Sequence, residues 1–483
     1  MDVAGKKVTV VGLGQTAVSV VRLLLREGAR PFVTDSGNGP KLTPYCEALD
    51  ALGVPYETGG HSEAAFEDAA VVIPSPGVSP TLAPIEAARA RGSVVVGEME
   101  FAFGYCRSRL IAVTGTNGKT TTTELLRALV AACGHSVVLA GNNAFPFSAA
   151  VMIEPAPEYI VLEVSSYQLE TARTFRPWIA AVLNVTPDHL ARHGTVEGYA
   201  AIKARIFARQ ESSDIAVVNF DDPYVRGMAA CSRGVVWPFS VKDGKDGKDG
   251  SDGSDGNDGI ASGLYVRGGE ICLGDAVVAR VGDTRLPGRH NLANVLAALS
   301  VMRAGGFDWD KTLEGLRGFR GVEHRIELVA SLDGVDFFND SKSTNIDSLK
   351  VALESFERPV VLIAGGQGKG SDYGVIRELV RQRVRKLIVI GEDAAKLDAA
   401  FGDVVGVEQA SDMDDAVRRA AGVARAGDVV LLSPACASFD MFDNFEHRGR
   451  VFKAGVEGLK GGKDAELVLG DPRMRKDSRS CHG

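Results

Sequence analysis

The chain has 483 residues, 45% hydrophobic and 24% charged, a length beyond what one hydrophobic core serves and one that predicts about three domains of roughly 150 residues each. Its formal charge is −8, of which residues 243–259, with six Asp and two Lys, supply −4; no basic cluster remains of the kind a nucleic-acid backbone requires. The seven cysteines are scattered, odd in number and without a C-x-x-C pair, which argues against a disulfide framework and a zinc site and suits a reducing cytoplasm.

The first predicted strand, Lys7 to Val11, leads into Gly12-Leu13-Gly14-Gln15-Thr16-Ala17, a helix to Glu27, and a second strand, Pro31 to Thr34, closed by Asp35. This is a βαβ start with a G-x-G-x-x-A turn and an acid about twenty residues on, so a diphosphate can rest on the helix N-terminus and a ribose can meet Asp35. The spacing leaves the nucleotide open, a dehydrogenase dinucleotide included. Strands at Val71 to Pro74 and Val94 to Val96 complete a small doubly wound domain over 1–106. No basic leader precedes an apolar stretch here, and no uncharged apolar run in the chain approaches about 20 residues, so neither export nor a membrane span is expected.

After the apolar Leu110 to Val113 comes Gly115-Thr116-Asn117-Gly118-Lys119-Thr120-Thr121, and then the helical Glu124 to Val130. Strand, Gly-rich loop and helix stand in the order that cradles a triphosphate. Glycines let N–H groups close around oxygens, the helix start adds partial positive charge, Lys119 reaches the outer phosphates, and Thr120 can ligate Mg2+. The form is the shorter G-x-x-G-K-T-T, with Val113 where the longer motif has glycine.

Strands at Val137 to Leu139, Tyr159 to Val164, Ile179 to Val185 and Ile215 to Asn219, with a helix over Val196 to Gln210, extend this domain over 107–321. Glu163, at a strand end, can share an Mg2+ with Thr120, since that ion needs only one or two protein oxygens beside phosphates and water. His189, in Asn184-Val185-Thr186-Pro187-Asp188-His189-Leu190, can be a neutral imidazole ligand. Lys203 lies on an amphipathic helix, where most lysines face water. Near a metal, however, a desolvated amine can be neutral enough to take up carbon dioxide, and its carbamate would be a negative ligand. Glycine at every third place from 242 to 259, without proline or apolar residues, predicts a disordered, solvated insertion.

The third segment alternates strands at Ile326 to Val329, Val360 to Ile363, Leu387 to Ile390 and Val429 to Leu432 with helices such as Met413 to Arg425. It predicts a domain over 322–460, followed by a flexible tail over 461–483. Three loops, Phe338 to Asn345, Ala364 to Asp372 and Ser433 to Asp440, fall at the carboxyl ends of strands, where open α/β sheets bind ligands, and their residue types suit a small anion. Cys436 has no evident histidine partner and is not read as a nucleophile. The fold class is α/β: three domains, each a mainly parallel sheet with flanking helices, Rossmann-like at both ends and of the P-loop type in the centre.

Read together, G-T-N-G-K-T-T, L-E-V-S-S-Y-Q-L-E, N-V-T-P-D-H-L, A-I-K-A-R-I-F, G-R-H-N-L-A-N, H-R-I-E, N-D-S-K-S-T-N, A-G-G-Q-G-K-G and S-P-A-C-A-S-F-D-x-F closely resemble the Mur ligases of peptidoglycan synthesis, in unbroken order over about residues 6 to 459. The family member matched best attaches D-glutamate to UDP-N-acetylmuramoyl-L-alanine with ATP. The resemblance implies a cytoplasmic, monomeric amide ligase whose only partners are its small-molecule substrates. By that likeness Gly115, Thr116, Asn117, Gly118, Lys119, Thr120 and Thr121 bind the ATP phosphates, and Asn291, Arg325, Asp340 and Lys342 hold the nucleotide. Thr120 with Glu163, and His189 with carbamylated Lys203, would hold two Mg2+; Lys119, Glu163, His189 and Lys203 form the catalytic set. Gln15, Thr16, Asp35, Ser75 and Gly77 match the UDP-contacting loops, and Asn142, Ser165 and His189 the muramoyl-alanine contacts. Thr344, Lys369, Ser438, Phe439 and Phe445 match the positions that take D-glutamate. Gly37 stands where some relatives carry arginine, and the Asp-Gly insertion has no expected counterpart.

Overall fold

A computed structural model of the chain describes residues 1–142, 145–242, 262–368, 370 and 372–469. The Asp-Gly insertion beyond Lys242, the expected substrate contact Lys369 and the end of the chain from residue 470 lie outside the described residues. The chain forms two compact units: Met1–Thr284 with His290–Phe319, and Arg285–Arg289 with the residues from Arg320 on.

The first unit contains two sheets. β1 (Lys7–Val11), β2 (Arg30–Asp35), β3 (Tyr56–Thr58), β4 (Val71–Pro74) and β5 (Val94–Val95) pair in the order β3-β2-β1-β4-β5, all parallel. Their near-continuous apolar runs reflect burial on both faces, as a parallel sheet with crossover helices requires. The order reverses between β1 and β4, which opens a crevice at their carboxyl ends.

β6 (Arg109–Thr114), β7 (Val137–Gly141), β8 (Tyr159–Glu163), β9 (Ile179–Val182), β10 (Ile215–Asn219), β11 (Val235–Ser240), β12 (Leu264–Arg267), β13 (Glu270–Leu273) and β14 (Ala276–Arg280) form the second sheet, in the order β14-β13-β12-β11-β10-β9-β6-β8-β7. Its strands run parallel except for β13, which is antiparallel to both β12 and β14, and Gly268 and Gly269, both at positive φ, make the tight β12–β13 turn. One core runs beneath both sheets, from Val3 through Met228. Glu100 joins them by accepting from the Arg173, Thr174 and Phe175 N–H groups and the Thr174 hydroxyl.

The second unit carries β15 (Glu327–Leu332), β16 (Val335–Asn339), β17 (Val360–Gly365), β18 (Val384–Ile390), β19 (Gly406–Gln409) and β20 (Val429–Leu432), in the order β15-β16-β20-β17-β18-β19. Only β15 is antiparallel to its neighbour; Asp333 and Gly334, both at positive φ, turn the chain there. Apolar clusters cover both faces. The last helix, Phe445–Leu469, continues past the boundary expected at residue 460, so the first part of the expected tail is helical. Among the described residues no helix is long and apolar enough to cross a membrane.

Candidate active site

The crevice between β1 and β4 is a cavity of about 400 Å³, lined by Gly12, Leu13, Gly14, Gln15, Thr16, Asp35, Ser75, Pro76 and Gly77 from the first sheet and by Gly141, Asn142, Pro146 and Gln168 from the second. The helix Gln15–Arg26 starts at Gly14 with no side-chain cap, so its first N–H groups are left for a ligand in the crevice. Asp35 is held by the Leu13 and Gly37 N–H groups at 2.5 and 2.6 Å. Gly37 therefore holds the acid through its backbone, and the missing arginine leaves that contact intact. Ser75 donates to the Gly12 carbonyl. All five residues expected at the UDP loops line this one cavity, and Asn142 lines it as well.

The phosphate loop sits between β6 and the helix Lys119–Ala132, whose first residue follows Gly118 at φ +85 with no side-chain cap. A Cβ on Gly118 would run into the carboxamide of Asn294, itself buried and bonded to Asn291. Gly118→Ala is accordingly expected to cost about 1–3 kcal/mol of folding stability and to weaken ADP binding, measured by thermal melting and by nucleotide titration. Asn184 clamps the loop, accepting from the Asn117 N–H (2.8 Å) and donating to the Asn117 carbonyl (3.1 Å). Thr116 exchanges hydrogen bonds with the Thr186 backbone, which fixes the strand-end loop leading to His189.

Two ammonium groups meet at one loop carbonyl. Lys119 donates to the Gly115 and Thr116 carbonyls at 2.9 and 2.8 Å, and Lys203 donates to the Gly115 carbonyl at 2.9 Å. Lys203 is 1% exposed, contrary to the usual water-facing lysine of an amphipathic helix. Burial, reinforced by the Lys119 charge, pushes its pKa down to about 7. The Tyr199 ring lies 4.4 Å from its ammonium.

Glu163 ends β8 beside β6, in register with Val113. It is buried; Oε1 accepts from the Asn142 carboxamide at 3.1 Å, and Oε2 has no hydrogen-bond partner. A buried carboxylate oxygen left unsatisfied is costly, and a hard cation is the partner that fits it. Thr114 and Thr122, on either side of the loop, likewise keep buried hydroxyls without partners.

His189 adopts φ +53, half exposed, with Tyr167 and Tyr199 at ring distances of 5.1 and 6.3 Å. His189 and the Lys203 ammonium thus both neighbour the Tyr199 ring. His193, which sequence reasoning passed over, stacks on Tyr167 and faces Ser166 and Glu170; its spacing of four from His189 was the available signal. Ser165 is engaged locally, capping the helix Ser166–Glu170 with Gln168.

In the second unit the turn after residue 322 holds His324 at φ +62 and Ile326 at φ +45 around Arg325. Such a conformation is an outlier for a β-branched residue and costs about 1–3 kcal/mol. It is held from the neighbouring loop: Asp340 accepts from the Ile326 N–H at 3.2 Å and from the Ser433 hydroxyl at 2.8 Å, and the Lys342 N–H donates to the His324 carbonyl at 3.0 Å. Arg325, Asp340 and Lys342 thus belong to one turn cluster. Burial pushes the Asp340 carboxyl up to about 7. Phe445 lies 5.6 Å from the Lys342 ammonium, Ser438 is buried, Thr344 half-buried and Phe439 exposed. Asn291, the fourth expected nucleotide residue, is buried in the first unit.

Cys436 is fully buried and its thiol meets the Tyr373 hydroxyl at 3.0 Å, a packing role. Among the described residues one cluster has metal-ligand character, Glu323, His324 and Glu327. The Lys453 ammonium lies 3.1 and 2.6 Å from its two carboxylates, so the positive charge is already supplied by the chain.

A phosphate loop with a buried acid and two lysines, with a glycine-lined crevice in the same unit, defines a P-loop nucleotide enzyme. Family descriptions match in the same order: the MurD-like N-terminal domain of Mur ligases over residues 6–97, the Mur ligase middle domain over 113–302, and the Mur ligase glutamate ligase domain over 324–436. The chain is 43% identical over 468 residues to the UDP-N-acetylmuramoylalanine-D-glutamate ligase of Pelotomaculum thermopropionicum, covering 95% of this chain and 99% of the relative. It is also 43% identical over 474 residues to the enzyme of that name from Chlorobaculum tepidum, covering 95% and 99%. Among solved structures, UDP-N-acetylmuramate-alanine ligase from Thermotoga maritima superimposes with a TM-score of 0.54 at 19% identity, over 94% of this chain and 99% of that one. MurF ligase from Thermotoga maritima, solved with ADP, gives 0.52 at 18%, over 95% and 96%; both likenesses concern the fold. The chain belongs to the Mur ligase family.

Proposed function

We propose that the chain is an ATP-dependent ligase that joins D-glutamate to UDP-N-acetylmuramoyl-L-alanine. The names of the full-length relatives support this reading, and one contact carries it: Asn142 lines the diphosphate crevice and donates to Glu163 beside the phosphate loop. A substrate whose UDP part rests on Gln15, Thr16, Asp35, Ser75 and Gly77 would therefore extend its carboxylate past Asn142 toward the triphosphate.

In this reading a carboxylate oxygen of the muramoyl-alanine attacks the γ-phosphorus of ATP, the bond to ADP breaks, and an acyl phosphate forms. The amine of D-glutamate then attacks the acyl carbon, loses a proton and expels inorganic phosphate, leaving the amide. The main barrier is electrostatic, because a carboxylate must approach a triphosphate. Lys119 and the uncapped helix start offset that repulsion. Mg2+ held by Thr120 and Glu163, and a second ion by His189 and a carbamate on Lys203, would supply further charge stabilisation. The unsatisfied Glu163 oxygen and the buried, readily neutral Lys203 amine fit those assignments.

The residues assigned to D-glutamate are Thr344, Lys369, Ser438, Phe439 and Phe445, and those assigned to the nucleotide are Asn291, Arg325, Asp340 and Lys342. We assign three functional segments, 1–106, 107–321 and 322–460, and a cytoplasmic monomer. ADP release measured with UDP-N-acetylmuramoyl-L-alanine across a panel of D- and L-amino acids tests the reading. D-glutamate is expected to be preferred by at least about a hundredfold, the discrimination a site with dedicated polar partners can reach. Equal use of L-glutamate or L-alanine would contradict it.

A further inference from the structure

Arg448, at the start of the helix Phe445–Leu469, is fully buried. Its Nε donates to the Ser341 hydroxyl at 3.0 Å, one terminal nitrogen to the Ser341 carbonyl at 2.8 Å, and the other to the Cys436 and Ala437 carbonyls at 3.1 and 3.3 Å. These bonds fasten the loop after β16 to the loop after β20, neighbours in the sheet. The loop after β17 is packed on the same group: a Cβ on Gly366 would stand 3.3 Å from a guanidinium nitrogen, and Gln367 and Ala437 exchange backbone hydrogen bonds at 2.9 Å. One side chain is therefore the hub of the three ligand-type loops at this end of the sheet.

The acceptors are carbonyls and a hydroxyl, and no carboxylate makes an ion pair with Arg448 among the described residues. Burial pushes the Arg448 guanidinium down to about 10, and Cys436, Asp440 and Asp340 partly offset this by favouring its charged form. Burial raises the Asp340 carboxyl, and Asp440 spends one oxygen on the Glu392 N–H at 3.0 Å and buries the other without a partner. Burying an arginine without a paired acid is expensive. A buried charge in a low-dielectric surrounding acts over several ångströms, here beneath the loops that carry Thr344 and Ser438.

We propose that Arg448 is a positioning and specificity residue for the acidic amino-acid substrate. It locks the Ser341 and Cys436–Ala437 turns and supplies, from inside the domain, the positive charge that favours a dicarboxylate over its neutral analogue. The inference rests on the proposed function, for which the wild-type enzyme is the control. The test compares wild type, Arg448→Lys and Arg448→Gln in steady-state ADP release, with D-glutamate and with D-glutamine, alongside thermal melting.

Arg448→Gln is expected to raise KM for D-glutamate roughly thirtyfold and to reduce the preference for D-glutamate over D-glutamine about tenfold, with KM for UDP-N-acetylmuramoyl-L-alanine unchanged. Arg448→Lys, which keeps the charge but cannot reproduce the four guanidinium hydrogen bonds, is expected to raise KM for D-glutamate while holding the preference for D-glutamate over D-glutamine within about threefold of wild type. A folded Gln variant that keeps its preference for D-glutamate overturns the inference while leaving the proposed function standing. Should the Gln variant not fold, the Lys variant decides: a loss of the preference for D-glutamate over D-glutamine well beyond threefold overturns it, and retention of that preference supports it. A wild-type enzyme that uses no acidic amino acid overturns both readings.

Discussion

Lys119→Ala is expected to lower ADP release by about a thousandfold or more, some 4 kcal/mol at 1.36 kcal/mol per decade. The ammonium donates to the Gly115 and Thr116 carbonyls, beside the uncapped start of the helix Lys119–Ala132. A triphosphate entering there exchanges neutral carbonyls for charged oxygens around Lys119, and the gain grows as charge shifts onto the leaving ADP. Alanine leaves the loop geometry to Gly118 and the Asn184 clamp, so the melting temperature should change little. A coupled ADP assay with melting on the same sample checks this. A folded variant retaining more than a tenth of wild-type turnover would contradict the role.

Lys203→Ala is the second large effect, a fall of about two to three orders of magnitude, with partial recovery by added formate or acetate. The physical basis is the buried amine at the Gly115 carbonyl with its pKa pushed down to about 7. Only a neutral amine adds carbon dioxide, forming a C–N bond and releasing a proton. At pH 7 about half of such a group is neutral, against less than a thousandth for an ordinary lysine. The sign follows directly: below pH 7 protonation removes the reactive form, so kcat should fall between pH 7 and 6 and recover on adding bicarbonate. Unchanged turnover in the alanine variant would refute the carbamate assignment. Arg at the same position should show no rescue, since it cannot be deprotonated.

Much of this was legible because the informative segments are local. The G-x-G-x-x-A and G-T-N-G-K-T-T loops each follow an apolar strand and precede a helix, and burial on both faces writes parallel strands such as Val71–Pro74 as unbroken apolar runs. The strands β11 to β14 were missed because they are short and flank a low-complexity insertion; the Gly268-Gly269 pair between alternating residues was their readable trace. The β15–β16 hairpin turned at Asp333-Gly334 by the same signal.

Side-chain placement was less accessible. Composition puts most helical lysines in water, yet Lys203 is buried, because its helix packs against the phosphate loop, which lies 88 residues earlier. Arg448 and Asn184 reach their partners across 107 and 67 residues, and neither spacing is periodic. The family motifs contain Asn184 without revealing its partner, and Arg448 lies outside the motifs whose turns it joins.

The most direct test of the central claim follows the oxygen of the acceptor carboxylate. With UDP-N-acetylmuramoyl-L-alanine labelled with 18O in its terminal carboxylate, together with ATP, magnesium and D-glutamate, the inorganic phosphate released should carry one labelled oxygen per turnover. That transfer is required if the carboxylate is phosphorylated before the amine attacks. Unlabelled phosphate, or no phosphate above blank when D-glutamate is added, would contradict the account.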